Sequence, residues 1–213
     1  MPSDDRSAER REGLNQQAKA APERQEAFLA FLALADRLKH TLRAAHTGER
    51  RENSAEHAWH VALIATTLAE EVVPRPDLGR VLAMIAVHDV VEIEAGDTFA
   101  FDDAGLLTQL ERERAAAARI FGLLPPETGA RLRESWEEFE AQETPEARFA
   151  MGCDRLQGFL QQIECGAPAW KEIGLTKARS LVRMQPAIDL GAPFAPMILA
   201  LYDRALAEGL LVP

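Results

Sequence analysis

Apolar side chains recur at three- and four-residue intervals along most of the chain, and that spacing predicts helices. Phe28, Phe31, Leu32, Leu34, Ala35, Leu38 and Leu42 mark a first helix that begins near Arg24 and ends near Gly48. A second is expected from about Asn53 to Val73, with Asn53 or Ser54 as N-cap and Pro74 to Pro76 closing it. The third starts at Asp77 and carries Leu78, Val81, Leu82, Ile85, Val87, Val90 and Val91 to about Glu94. A loop follows from Ala95 to Gly105. Further helices are expected over Leu106–Phe121, from Pro125 and Pro126 to Ala141, from Pro145 to about Cys165, over Thr176–Ile188 and over Ala195–Glu208. Thr144 and Pro145 form a strong start signal, a capping hydroxyl followed by proline at the first helical position. No stretch alternates with period two, so the expectation is an all-α, compact multi-helix bundle.

Residues Met1 to Pro22 are polar, mixed in charge and short of large apolar side chains, which predicts a mobile arm preceding a domain over residues 23–213. The 213 residues and 23.5 kDa suit one such domain. Basic residues number 24 and acidic ones 34, a net charge of −10. That balance argues against gripping a nucleic acid polymer or an anionic membrane, both of which need a basic surface. It leaves room for a local basic pocket that holds a small phosphate. The first 26 residues hold no apolar targeting core, and no apolar run is long enough to span a bilayer. With Cys153 and Cys165 read as free thiols, the expected compartment is the cytoplasm.

The chemistry concentrates in Val87-His88-Asp89-Val90-Val91-Glu92-Ile93-Glu94. On a continuous helix, Glu92 would lie about 40° and Asp89 about 100° from His88, all facing inward with Ile85. Unpaired charges buried there would cost several kcal/mol, and a divalent cation is the simplest compensator. A core His–Asp hydrogen bond with exposed glutamates is the competing reading. His57 on the preceding helix shifts the balance toward a metal, because an antiparallel neighbour would present it to His88 and Asp89. His60 is left outside the ligand set. Asp154, with Ala147, Ala150 and Gly158 around it at helical spacing, is a fourth candidate in a stripe that would let another helix approach.

These residues resemble the HD-domain metal-dependent phosphohydrolases, named for a His-Asp doublet that an earlier His and a later Asp complete. The order here is His57, His88-Asp89, Asp154. The resemblance is closer to the 5′-deoxynucleotidase branch and its bacterial relatives. It rests on Glu52-Asn53-Ser54-Ala55-Glu56-His57, and on His88, Asp89 and Glu92 followed by Gly96-Asp97. It implies metal ligation by His57, His88, Asp89 and Asp154, and catalytic or substrate-positioning roles for Glu92 and Asp97. It also implies a phosphate-binding arginine upstream of the first ligand. Arg43 is preferred to Arg50 and Arg51, because it follows Lys39 by one helical turn and would face the same cleft. The branch's aromatic residue that helps exclude a ribose 2′-hydroxyl has no counterpart near Arg43. Family members often dimerise, and Trp170 and Phe194 are candidates for such a surface.

None of the five histidines follows His88, which favours one divalent ion (Mn, Co, Zn, Mg or Fe) over a dinuclear site. The expected activity is metal-dependent release of phosphate from a nucleoside or deoxynucleoside 5′-monophosphate. Two readings compete with it. One is hydrolysis of a nucleoside triphosphate or pyrophosphate-bearing nucleotide; the other is a non-catalytic binding module on the same scaffold.

Overall fold

A computed structural model describes residues 21–213. The arm expected over Met1 to Pro22 lies outside the described residues, save Ala21 and Pro22, which stand in a helix. That helix, α1, covers 21–35 and runs into a 3₁₀ turn, Asp36–His40. A two-stranded antiparallel hairpin follows, β1 (Leu42–Thr47) and β2 (Arg50–Asn53). The rest is helical: α2 (Ser54–Leu68), α3 (Leu78–Val87), α4 (Glu92–Ala95), α5 (Asp103–Phe121), α6 (Pro126–Ala141), α7 (Pro145–Glu164), α8 (Pro168–Glu172), α9 (Lys177–Ile188) and α10 (Phe194–Ala207).

The caps follow the chemistry of their residues. Asn53 and Glu56 form a reciprocal capping box that starts α2, and Thr144 Oγ1 accepts from the Ala147 amide to start α7 behind Pro145. Helix α7 is the axis of the bundle, packed against α2, α3, α6, α9, α10 and β1. Around it a core gathers Val61 and Ala65 of α2, Met84 and Ile85 of α3, and Ile198 and Tyr202 of α10. Gly152 of α7 makes the α10 crossing possible, since a Cβ there would sit 2.7 Å from Leu190 Cδ1 and 2.9 Å from Phe194 Cζ. A second core joins Val87, Val90 and Val91 to Ala116, Ala117, Ile120 and Phe121 of α5 and Trp136 of α6.

The structure corrects the sequence reading at several places. The first helix does not continue to Gly48; it gives way at residue 35, and Arg43 stands on a strand. The third helix does not reach Glu94 unbroken. It stops at Val87, and residues 88–91 form tight turns closed by Val90 N–H to Val87 O and Glu92 N–H to Asp89 O. Val90 and Val91 anchor those turns from behind in the second core, so His88 and Asp89 are held on the opposite side. Helix α8 was not foreseen. Trp170 and Phe194 are 2% and 1% exposed, so neither belongs to an interaction surface. Gly158 admits no neighbouring helix; open space lies where its Cβ would be.

Candidate metal centre

Helix α2, the turn that follows α3, and helix α7 each deliver one side chain to a common point. One ligand atom from each of His57, His88 and Asp154 lies within 4.8 Å of the others. His57 Nε2 is 2.9 Å from Asp154 Oδ1 and 3.4 Å from His88 Nε2. Asp89 stands beside them, Oδ1 3.1 Å from His88 Nε2 and Oδ2 3.8 Å from His57 Nε2. The structure therefore brings together all four residues singled out in the sequence.

The protons at this centre are fixed from behind. His88 Nδ1 lies 2.8 Å from the Ile85 carbonyl, which can only accept, so Nδ1 carries the hydrogen. His57 Nδ1 lies 2.6 Å from Gln157 Oε1, and the amide is oriented by its other end, which donates to Glu52 Oε1 at 2.9 Å. His57 Nδ1 is thus also protonated. Both Nε2 atoms are directed at each other and at two carboxylates. Protonating His57 would relieve this, but its pKa is lowered to about 4, first by burial and then by the Arg43 charge. Asp154 would be raised by burial, yet its contact with His57 and the nearby His88 and Arg43 hold it below the usual carboxylate range. Two imidazole nitrogens and two carboxylates facing one point form a donor set that suits a divalent cation, and burial pushes the Asp89 carboxyl well above the usual range when none is bound.

Arg43 reaches the centre from β1 by way of an irregular register. Leu42 pairs with Asn53 and His46 with Arg51, so three residues of β1 oppose Glu52 alone. Such a bulge re-aims a side chain. The guanidinium sits 3.2 Å from Asp89 Oδ2, 3.6 Å from Asp97 Oδ1 and 3.6 Å from Glu52 Oε2. Burial opposes its charge, but Asp89, Asp97, Glu92 and Asp154 together raise its pKa further above the ordinary value. Lys39, expected to face the same cleft, is exposed and pairs with Asp36. Arg50 pairs with Glu56 on the surface, and Arg51 bonds the Leu42 carbonyl at 2.9 Å.

Glu92 begins α4, buried, and accepts from Ser54 Oγ at 2.8 Å. Burial, then the Asp89 charge, pushes its carboxyl well above the usual range. Asp97 is raised by burial, against the pull of Arg43. Its loop turns at Gly96, whose φ of 78° only glycine adopts without strain. Arg112 of α5 braces the loop by bonding the Ala95 carbonyl and Thr98 Oγ1. Arg43, His88, Asp89, Glu92, Asp97 and Asp154 all open onto one cavity of about 340 Å³.

Comparison with known proteins adds a second line. Residues 35–193 match the family model for the HD domain. The chain belongs to the HD domain family. It is 31% identical over 143 residues to the protein named 5′-deoxynucleotidase HDDC2 of Homo sapiens, covering 64% of this chain and 67% of that one. The mouse protein of the same name is equally similar, 31% over 143 residues, with 64% and 69% covered. Among solved structures, a predicted metal-dependent phosphohydrolase of Magnetospirillum magnetotacticum MS-1 superposes with a TM-score of 0.83 at 43% identity, over 90% of this chain and 97% of that one. A conserved hypothetical protein of Pyrococcus furiosus shares the fold, with a TM-score of 0.54 at 21% identity over 85% and 98%.

Within this HD domain, two supporting residues escaped the sequence reading. Glu52 was noted only as part of a motif, and Gln157 was not noted at all. Together they fix the His57 ring, although 105 residues separate them. A buried glutamine three residues beyond Asp154 carries no local signal of that role.

Proposed function

We propose that this HD domain chain is a metal-dependent phosphohydrolase that takes a nucleoside 5′-monophosphate as substrate, with His57, His88, Asp89 and Asp154 as the metal ligands. The observation that carries the reading is the convergence of His57 Nε2 and His88 Nε2 on each other and on the Asp89 and Asp154 carboxylates. The names borne by the human relative and the Magnetospirillum structure agree with it. When bound, a divalent cation polarises a phosphoryl oxygen and lowers the pKa of a water molecule.

The chain's own groups supply the rest. Arg43 offers N–H donors to the non-bridging phosphate oxygens, exchanging carboxylate contacts for phosphate ones. Glu92, raised in pKa and oriented by Ser54, accepts the proton of the attacking water. Asp97, on the braced Gly96 loop, receives a sugar hydroxyl or orients Arg43. Ala44, next to Arg43, lines the cavity with no side chain larger than a methyl group.

Phosphate release is measured from metal-stripped protein after addition of Mn²⁺, Co²⁺, Zn²⁺, Mg²⁺ or Fe²⁺. The substrates are nucleoside and deoxynucleoside 5′-monophosphates, with di- and triphosphates included because Arg155 and Arg183 also line the cavity. Metal-restored release that His88→Ala abolishes is the expected result. Protein that binds metal yet releases phosphate from none of them would sink the proposal.

A further inference from the structure

Helix α7 carries two buried glutamines with opposite fates. Gln157 is fully engaged, between His57 and Glu52. Gln162 is 5% exposed, lines the cavity, and its Oε1 has no hydrogen-bond partner among the described residues. A buried amide oxygen left without a donor costs about 1–3 kcal/mol, so a partner beyond the described residues, such as a bound substrate, is the natural completion.

The glycines of α7 divide in the same way. Gly152 is demanded by packing against Leu190 and Phe194. Among the described residues, nothing beyond its own helix backbone lies within 4 Å of a Cβ built at Gly158, yet it stands mid-helix, where glycine costs about 0.5–1 kcal/mol against alanine. It lines the same cavity, four residues after Asp154 and four before Gln162. Asp154, Gly158 and Gln162 therefore fall in one arc of about 80° and span about 12 Å along the helix axis. That is a charged end, a gap and an amide in line, on the scale of a nucleoside monophosphate. Phe99 and Phe101, half-buried at 5.5 Å between ring centroids, border the same space and offer apolar ring surface to a flat heterocycle.

We propose that Gln162 is the residue that reads the substrate's nucleobase, with Gly158 leaving room for the sugar between the metal centre and that amide. The assignment rests on the phosphohydrolase reading for the placement of the phosphate. A primary amide offers an adjacent donor and acceptor and can rotate to present them in either order, so Gln162 accepts any base edge with a neighbouring donor and acceptor. It discriminates a nucleotide from a bare sugar phosphate more than one base from another.

The test compares kcat/KM for four deoxynucleoside 5′-monophosphates with that for 2-deoxyribose 5-phosphate. Calorimetric binding of the unphosphorylated nucleosides is measured in parallel, on the metal-loaded full chain. Gln162→Met keeps the volume and removes both polar atoms; Gly158→Met, a separate variant, fills the gap. Wild type is expected to favour the nucleotides over the sugar phosphate by about tenfold or more, the scale of one or two hydrogen bonds. Gln162→Met should remove that preference while leaving the sugar phosphate within about twofold, and Gly158→Met should weaken nucleoside binding by about tenfold or more. Equal loss on both substrate types, or no loss on either, overturns the role of Gln162. Nucleoside binding that Gln162→Met weakens, in protein that hydrolyses nothing, would sustain Gln162 and sink the phosphohydrolase. Turnover of nucleotides and sugar phosphate at equal rates would do the reverse.

Discussion

The two ends of the cavity are built on opposite principles. At the metal end almost every polar atom is held by another: Gln157 and Glu52 fix His57, Ile85 fixes His88, Ser54 fixes Glu92, and Arg43 bridges three carboxylates. At the far end stand a helical glycine with open space beside it and a buried amide whose oxygen meets no donor among the described residues. An arrangement of like charges must be over-determined to persist, whereas a shape-reading surface needs only room and a few polar atoms. The first end is therefore where substitution destroys chemistry, and the second is where it alters choice.

The sharpest way to break this contrast is at the ligands. His88→Ala or Asp154→Ala should lower kcat/KM about a thousandfold or more, equivalent to several kcal/mol of transition-state stabilisation, with metal content by mass spectrometry falling in parallel. Normal turnover in either variant would mean that the centre is not where the reaction occurs. Next comes Glu92→Gln, which should cost about 10²–10⁴ in kcat while the metal stays bound, as expected for loss of a positioned base. A smaller effect is predicted behind the ring: Gln157→Leu frees His57 Nδ1 and should weaken metal affinity about 10–100-fold in a competition titration with a chelator. The smallest effects separate the two glycines in urea unfolding. Gly152→Ala crowds the Leu190 and Phe194 side chains and should destabilise by about 1–3 kcal/mol. Gly158→Ala meets no atom and should stabilise by about 0.5–1 kcal/mol. A loss of stability at Gly158 would remove the distinction drawn between them.

Legibility in the sequence tracked how local each signal was. The helices with caps and breakers at both ends, such as that opened by Thr144-Pro145, were legible because their boundaries are decided within a few residues. The hairpin was not. Leu42-Arg43-Ala44-Ala45 is a helix-prone run, and strand pairing with Arg51 and Asn53 overrides that preference. Arg43 was therefore chosen on a helical argument that fails, and it reaches the cavity by a bulge instead. The His88-Asp89 doublet was read on an ideal helix, but the chain tightens there into turns that Val90 and Val91 hold from the second core.

The sequence by itself determined a helical chain, an acidic surface, and a set of histidines and carboxylates too costly to bury without a compensating cation, because helix periodicity and residue chemistry are properties of short stretches. Only the tertiary structure decided which nitrogen of each imidazole is free, which glutamine is engaged and which is left open, and from which side Arg43 arrives. Those outcomes depend on partners as much as 105 residues apart, and no local pattern encodes the distance between them.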